Sequence, residues 1–309
     1  MTAALVTGGT GFIGAHLVRR LVKHGMAVHL VCRPTANRRR LQNIASRIAW
    51  HTASLADARA LRRIAERVQP DYVFHLAAAT MHGGRPAAAP ARVIATTVLG
   101  TVKLTAACER VPYRCFVHTG DAFEYAPRER PLRESGACRP TTVDGIAKLA
   151  ASLYALAVAR QRRRPIVVVR PFSIFGPLDD PRRLIPRLFA AARDGSHVAL
   201  SKPDIARDFL YVDDLVDLYL DVIAQPDRAA GEIFNAGSGR ETTLAALVRT
   251  IERVAGARLH PLWGTYSTAA HDAERRRADI AKARRLLGWR PRTPLARGLT
   301  AAYRHASQP

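Results

Sequence analysis

Ala3-Ala4-Leu5-Val6-Thr7-Gly8-Gly9-Thr10-Gly11-Phe12-Ile13-Gly14 decides how this chain folds. A short apolar run of strand length leads into a cluster of glycines, after which Ile13, Leu17, Val18, Leu21 and Val22 recur at helical spacing. Strand, tight turn and helix follow in that order. Glycines placed this way allow the turn, let backbone approach a pyrophosphate and let the helix pack closely, while the first helical N–H groups face the phosphates. A ligand-free strand-to-helix turn is the competing reading, and the placement of Gly8, Thr10, Gly11, Phe12, Ile13 and Gly14 favours a dinucleotide site.

Further along, Val28 to Cys32, Tyr72 to Ala77, Arg114 to Thr119 and Ile166 to Arg170 are apolar strand-length runs separated by helix-length segments. This alternation predicts an α/β fold with a doubly wound parallel Rossmann sheet. After Arg170 the pattern loosens into segments with more proline and glycine, which suggests a smaller C-terminal α/β substrate domain. The expected division is 1–175, with a segment returning near 206–236, for the dinucleotide-binding domain, and 176–205 with 237–309 for the substrate domain. In 309 residues, 48% of them hydrophobic, there is material for both cores.

About twenty residues beyond the glycines an acidic side chain would meet the ribose 2′-hydroxyl of NAD. Here the second strand ends Val31-Cys32-Arg33-Pro34, followed by Arg38, Arg39 and Arg40. Arginine suits a 2′-phosphate, so NADP(H) is favoured over NAD(H). Alternatively Arg33 stacks on adenine or faces solvent.

The formal net charge of +23 invites an anionic partner. The arginines come in short scattered groups with no aromatic interleaving, which argues against nucleic acid and for a diphosphate-bearing small molecule. No stretch approaches the roughly 18 apolar residues that span a bilayer, and Met1 leads straight into a strand, so no membrane partner and a cytoplasmic location are expected. Cys32, Cys108, Cys115 and Cys138 lack metal or redox spacing and are expected as free thiols; no metal site is expected either.

TGGTGFIG (7–14), His75-Leu76-Ala77-Ala78, Arg170-Pro171-Phe172-Ser173-Ile174-Phe175-Gly176-Pro177, Arg207-Asp208-Phe209-Leu210-Tyr211-Val212-Asp213-Asp214, Phe234-Asn235-Ala236-Gly237-Ser238-Gly239 and Leu286-Leu287-Gly288-Trp289-Arg290-Pro291 follow one another in the chain. Together they resemble the extended short-chain dehydrogenase/reductase (NAD-dependent epimerase/dehydratase) family, and the segments 180–186 and 203–208 are most similar to its nucleotide-sugar reductase and epimerase branch. The resemblance implies an enzyme acting on a nucleotide-diphosphate sugar or related hydroxylated metabolite, and a homodimer formed through a helical bundle. It implies a cofactor cleft that also includes Leu55, Leu76, Ala77, Ala78, Lys148 and Pro171, with Arg33 and Arg38 at its far end. Ser173 and Arg207 are implied on the substrate side, Arg207 meeting the diphosphate; an ion pair with Asp208 or Asp213 is the competing role. Arg170 is expected to line the cleft and His75 to pack beside the cofactor.

Two positions depart from the family. Its Tyr-x-x-x-Lys pair reads Asp144-Gly145-Ile146-Ala147-Lys148 here, and its serine or threonine, four residues before Tyr125, is Asp121. Thr97 stands where asparagine is usual. A carboxylate is shorter than a phenol and ionised at neutral pH. Beside Lys148, Asp144 is a poor acid but a competent base, and two converging carboxyls would split into an acid and a base. Asp144, Lys148, Asp121 and Tyr125 are therefore the candidate catalytic residues. Ketoreduction or epimerisation is the leading expectation, with Tyr125, water or substrate as an alternative proton source. A non-redox proton transfer (elimination, epimerisation or cyclisation) and a non-catalytic cofactor-binding scaffold remain as alternatives. Asp144 and Lys148 as a mere helical ion pair, worth about 0.3–0.5 kcal/mol, and Arg275 to Arg277 as a solvated run complete the open readings.

Overall fold

The computed structural model describes residues 1–79, 89–126, 131–266 and 275–307. The first half alternates as expected: β1 (Ala3–Thr7), α1 (Phe12–Lys23), β2 (Ala27–Cys32), β3 (Ile48–Thr52), α2 (Ala58–Val68), β4 (Tyr72–His75), then α3 (Pro90–Ile94) running through a π-helical turn (Ala95–Leu99) into α4 (Gly100–Ala107). It continues with β5 (Cys115–Thr119), a 3₁₀ turn (Ala122–Glu124), α5 (Val143–Gln161) and β6 (Ile166–Pro171). The second half contains β7 (Ser173–Phe175), α6 (Leu184–Asp194), β8 (His197–Leu200), β9 (Ala206–Arg207), β10 (Phe209–Tyr211), α7 (Val212–Ala224) and α8 (Pro226–Ala229). After these come β11 (Ile233–Ala236), β12 (Thr242–Thr243), α9 (Leu244–Ala255), β13 (His260–Trp263), β14 (Arg275–Arg276), α10 (Ala281–Leu287) and α11 (Leu295–Ala306).

Seven strands form one parallel sheet in the order β11-β6-β5-β4-β1-β2-β3. Its central strands are buried on both faces because helices cover both, which is why Ile166-Val167-Val168-Val169 reads as a continuous apolar run. The order reverses between β1 and β4, and such a reversal opens a crevice at the carboxyl ends of the strands. Thr7 and His75 end these two strands in register.

A second core gathers Phe175, Ile185, Leu188, Phe189, Leu247, Ile251 and Leu299 between α6, α9 and α11. The boundaries differ from the expected ones in two places. Within 206–236, β11 joins the large sheet and α7 packs on it, whereas β9 pairs with β12 and β14 outside it and β10 pairs with β7. Residues 281–289, expected in the substrate domain, pack on the large sheet instead. There Ala283, Leu287 and Trp289 bury their apolar surface with Phe234 and Val216, and Trp289 Nε1 donates to Asp214 O at 3.0 Å.

Beneath the crevice, His75 Nδ1 lies 2.6 Å from Thr7 Oγ1 and Nε2 lies 2.9 Å from Thr101 Oγ1. Thr101 gives its own hydroxyl proton to Thr97 O, so it accepts from Nε2–H and leaves Nδ1 to accept from Thr7. Neutral imidazole alone satisfies this chain. Burial, aided by the Lys148 charge, pushes the His75 pKa down to about 3, and burial likewise pushes His118, behind it, well below its ordinary value. A depressed folded-state pKa gives stability that is complete above about pH 6.5 and is lost as pH falls towards 3. His75 should remove about 1.4 kcal/mol per pH unit in that window, and His118 acts in the same direction. Urea unfolding of His75→Asn at pH 7 and pH 5 should show a shallower pH dependence than the parent chain; parallel slopes would contradict this account.

Candidate active site

Gly8 has φ +75°, and a Cβ there would stand 2.5 Å from Ala77 N. A Cβ at Gly14 would stand 2.3 Å from Gly8 O, while Gly11 N donates to Gly8 O at 3.0 Å. The loop is closed by backbone packing that a side chain would break. The twelve-residue α1 follows with no acidic side chain in its first turn, so its N-terminal N–H groups and dipole favour an anion. Phe12 packs edge-on against His16, and Ile13 and Phe12 lie on the core, leaving backbone at the crevice. Opposite, Leu76 N and Ala77 N donate to Thr7 O and Thr7 Oγ1, and Ala78 is exposed beyond them. Leu55 lies against Gly100, and Pro171 ends β6 in a buried position. Arg33 and Arg38 are exposed just past the end of β2; the Arg38 guanidinium stacks 4.3 Å from the Trp50 ring. These residues fit a nucleotide cofactor: a cradle without Cβ atoms for the pyrophosphate and cations at the ribose end.

The carboxylate centre lies at the ends of β5 and α5. Asp121 caps the 3₁₀ turn, its Oδ1 accepting from Phe123 N at 2.8 Å, while Glu124 Oε1 accepts from Asp121 N at 2.9 Å. Thr142 caps α5, and Asp144 occupies its first turn, where the helix dipole favours negative charge. Gly145 lets α5 approach the 3₁₀ turn, since a Cβ there would lie 2.6 Å from Phe123 O. One helical turn later, Lys148 Nζ donates to Thr119 O at 2.7 Å. Burial lowers the Lys148 pKa, and the charges of Asp121, Glu124 and Asp144 oppose that. Burial raises the Asp121 carboxyl; the Phe123 N–H, Lys148 and Arg276 hold it down, and Asp144 adds to the rise. The structure thus brings Asp121, Asp144 and Lys148 into one electrostatic unit.

Tyr125 does not join them. It is fully buried, its hydroxyl donates to Asn235 Oδ1 at 2.7 Å, and burial raises its pKa, so it is a core side chain and not a proton source for the crevice. Arg170, expected to line the cleft, is also inside: Nε pairs with Glu124 Oε2 at 2.7 Å with both side chains almost inaccessible. Sequence reasoning missed Glu124, although it lies three residues after Asp121 in a capping-box spacing that could have revealed it. Thr97 Oγ1 lies 3.3 Å from Ala79 N, fixing the segment after β4.

On the substrate side, Ser173 N donates to Asp208 O, and Arg207 lies on β9 in register with Arg276 on β14. The Asp208 carboxylate accepts from Ser238 N, Ser238 Oγ, Gly239 N and Ala278 N. Asp213 faces His16 and Arg20. Within Arg275 to Arg277, expected as a solvated run, Arg275 is exposed but Arg276 is buried, at 4% exposure. The four cysteines are free. Among the described residues no cluster of three His, Cys, Asp or Glu could hold a metal, and no helix is long and apolar enough to cross a membrane.

A model of the NAD dependent epimerase/dehydratase family matches residues 4–237. dTDP-glucose 4,6-dehydratase 1 of Escherichia coli (strain K12) is 30% identical, over 96% of this chain and 90% of that protein. UDP-glucose 4-epimerase of Thermotoga maritima, solved with UDP-glucose, superposes with a TM-score of 0.89 at 27% identity, covering 98% of each chain. MoeE5, solved with UDP-glucuronic acid and NAD, superposes with a TM-score of 0.86 at 28% identity, again covering 98% of each.

Proposed function

Because this chain belongs to the NAD dependent epimerase/dehydratase family, we propose that it transforms a nucleotide-diphosphate sugar with its proton moved by carboxylates instead of a phenol. What supports this reading is that Asp121 and Asp144 lie within electrostatic reach of Lys148, whose Nζ donates to Thr119 O at the end of β5. The bound nicotinamide supplies the hydride acceptor and donor. Asp144 takes the proton of a sugar hydroxyl as the C–H bond is oxidised, and returns it when the keto group is reduced later in the same turnover. A carboxylate that starts as a base favours this order over free-standing ketoreduction, which needs an acid first. Arg207 is the proposed contact of the diphosphate, with Ser173 nearby.

The test is a panel of UDP- and dTDP-hexoses with catalytic amounts of cofactor, followed by NMR and product mass. An epimer, or a product lighter by one water, without net cofactor consumption is the expected result. Stoichiometric NADPH oxidation with a gain of two hydrogens would replace it by a ketoreductase. Bound cofactor with no turnover of any sugar nucleotide would replace it by a scaffold.

For the cofactor, MoeE5 carries NAD, and the NADP(H) preference proposed here rests on Arg33 and Arg38 at the end of β2. Losing a charge-assisted phosphate contact costs about 1.5–3 kcal/mol. Arg33→Ser should therefore weaken NADPH binding roughly 10- to 100-fold in calorimetric titration and leave NADH nearly unchanged. Equal effects on both cofactors would return Arg33 to an adenine-stacking role.

We also propose a homodimer. Ile94 and Leu99 on the helix from Pro90 to Ala107, and Ile146 and Leu153 on the neighbouring α5, are large apolar side chains left 37–56% exposed. A second copy of this face would cover them. Light scattering should give a dimer for the parent chain and a monomer for Leu153→Glu; a monomeric parent would refute it.

A further inference from the structure

Asp121 stands where the family resemblance calls for a neutral hydroxyl, so this chain must accommodate a second carboxylate next to the buried Glu124. Several groups face it. Its own turn contributes Glu124 and the Phe123 N–H, α5 contributes Lys148 and Asp144, and β14 contributes Arg276. Lys148 alone is shared among three carboxylates, Asp121, Glu124 and Asp144. Arg276 reaches the same turn from the other half of the molecule. It is 4% exposed, its Nη1 donates to Ala122 O at 2.9 Å, and its guanidinium lies 4.5 Å from the centre of the Phe123 ring. Ala122 and Phe123 directly follow Asp121 in sequence, so a cation fixed on them is fixed beside the carboxyl. β14 pairs in parallel with β9, which sets Arg276 opposite Arg207 and ties this clamp to the strand proposed to meet the diphosphate.

We propose that Arg276 is a positioning residue for the carboxylate centre, clamping the 121–124 turn and supplying the second cation, after Lys148, that a carboxylate at position 121 requires. The inference rests on the proposed roles of Asp121 and Asp144. A bare buried carboxyl resists ionisation, and each nearby cation moves its titration by about one to three pH units. Arg276 sits close enough to lower the Asp121 midpoint directly, while its contacts with Ala122 O and Phe123 fix the distance.

The test needs no substrate. In the full chain labelled with ¹³C at the aspartate carboxyls, the Asp121 resonance, assigned by its loss in Asp121→Asn, is titrated by NMR. Arg276→Met should raise the Asp121 midpoint by at least about one pH unit, and Arg276→Lys should return it towards the parent value. An unmoved midpoint in Arg276→Met overturns the inference. Should that variant fail to fold, Arg276→Gln keeps a donor for Ala122 O while removing the charge, and the same two outcomes decide. Full turnover in Asp144→Asn would sink the proposed function and leave this titration standing. An inactive Asp144→Asn with an unmoved Asp121 midpoint would do the reverse.

Discussion

Asp144→Asn should lower turnover by roughly 10²- to 10⁴-fold, the range associated with loss of a positioned general acid or base. Asparagine has nearly the size of aspartate and can stay in the first turn of α5, but it cannot accept the substrate proton. The cofactor cradle is built from other residues, chiefly Gly8, Gly14 and the N-terminus of α1, so NADPH affinity should stay within about twofold of the parent value. Turnover and cofactor titration on the same preparation separate the two effects. A variant retaining more than about a tenth of parent turnover would remove Asp144 from the chemistry. Asp121→Asn should act in the same direction. Because burial raises the Asp121 carboxyl, activity that needs it ionised should decline on acidification at a higher pH than an ordinary carboxylate would cause.

Arg170→Met should destabilise the protein by about 3–5 kcal/mol, because it leaves Glu124 as an unpaired buried charge. The pair is closely made, 2.7 Å from Arg170 Nε to Glu124 Oε2, and both side chains are almost inaccessible. Glu124 also accepts from Ser152 Oγ at 2.8 Å and from Asp121 N, so the damage reaches the candidate catalytic turn. Urea unfolding should show a lower midpoint with little change in slope. The double variant Arg170→Met with Glu124→Leu should recover part of the loss, since no charge is then stranded, but not all of it, since Ser152 and Asp121 N lose their acceptor. A single variant within about 1 kcal/mol of the parent would show that the pair contributes little.

The first unit was legible because its signals are local. Glycines at 8, 11 and 14 and the apolar runs of β1, β2, β4, β5 and β6 state strand, turn and helix without reference to distant residues. β3 escaped notice because Ile48-Ala49-Trp50-His51-Thr52 is an edge strand with half its side chains accessible, and it lacks a continuous apolar run. Tyr125, Arg170 and Arg276 were misread for one shared reason. Each looks polar in isolation and is buried because a partner distant in sequence, respectively Asn235, Glu124 and Ala122 O, satisfies it. Asp121, Asp144 and Lys148 could be selected by their departure from a family pattern, whereas the cation brought by β14 depends on strand pairing that spacing does not encode.

The way the chain crosses between its two cores limits how it can come apart. It begins on the large sheet and leaves for α6 and β8. It then comes back with α7 and β11, leaves again for α9, and returns as α10 and Trp289 before ending on the second core with α11. Asp214 on α7 fastens the last crossing, its carboxylate receiving Arg292 N and Thr293 N and its carbonyl receiving Trp289 Nε1. Any single cut that keeps one core whole divides the other, so the two halves cannot be separated as autonomous pieces. Melting should accordingly be cooperative, with one calorimetric transition for both halves, and a nick in either should weaken the other.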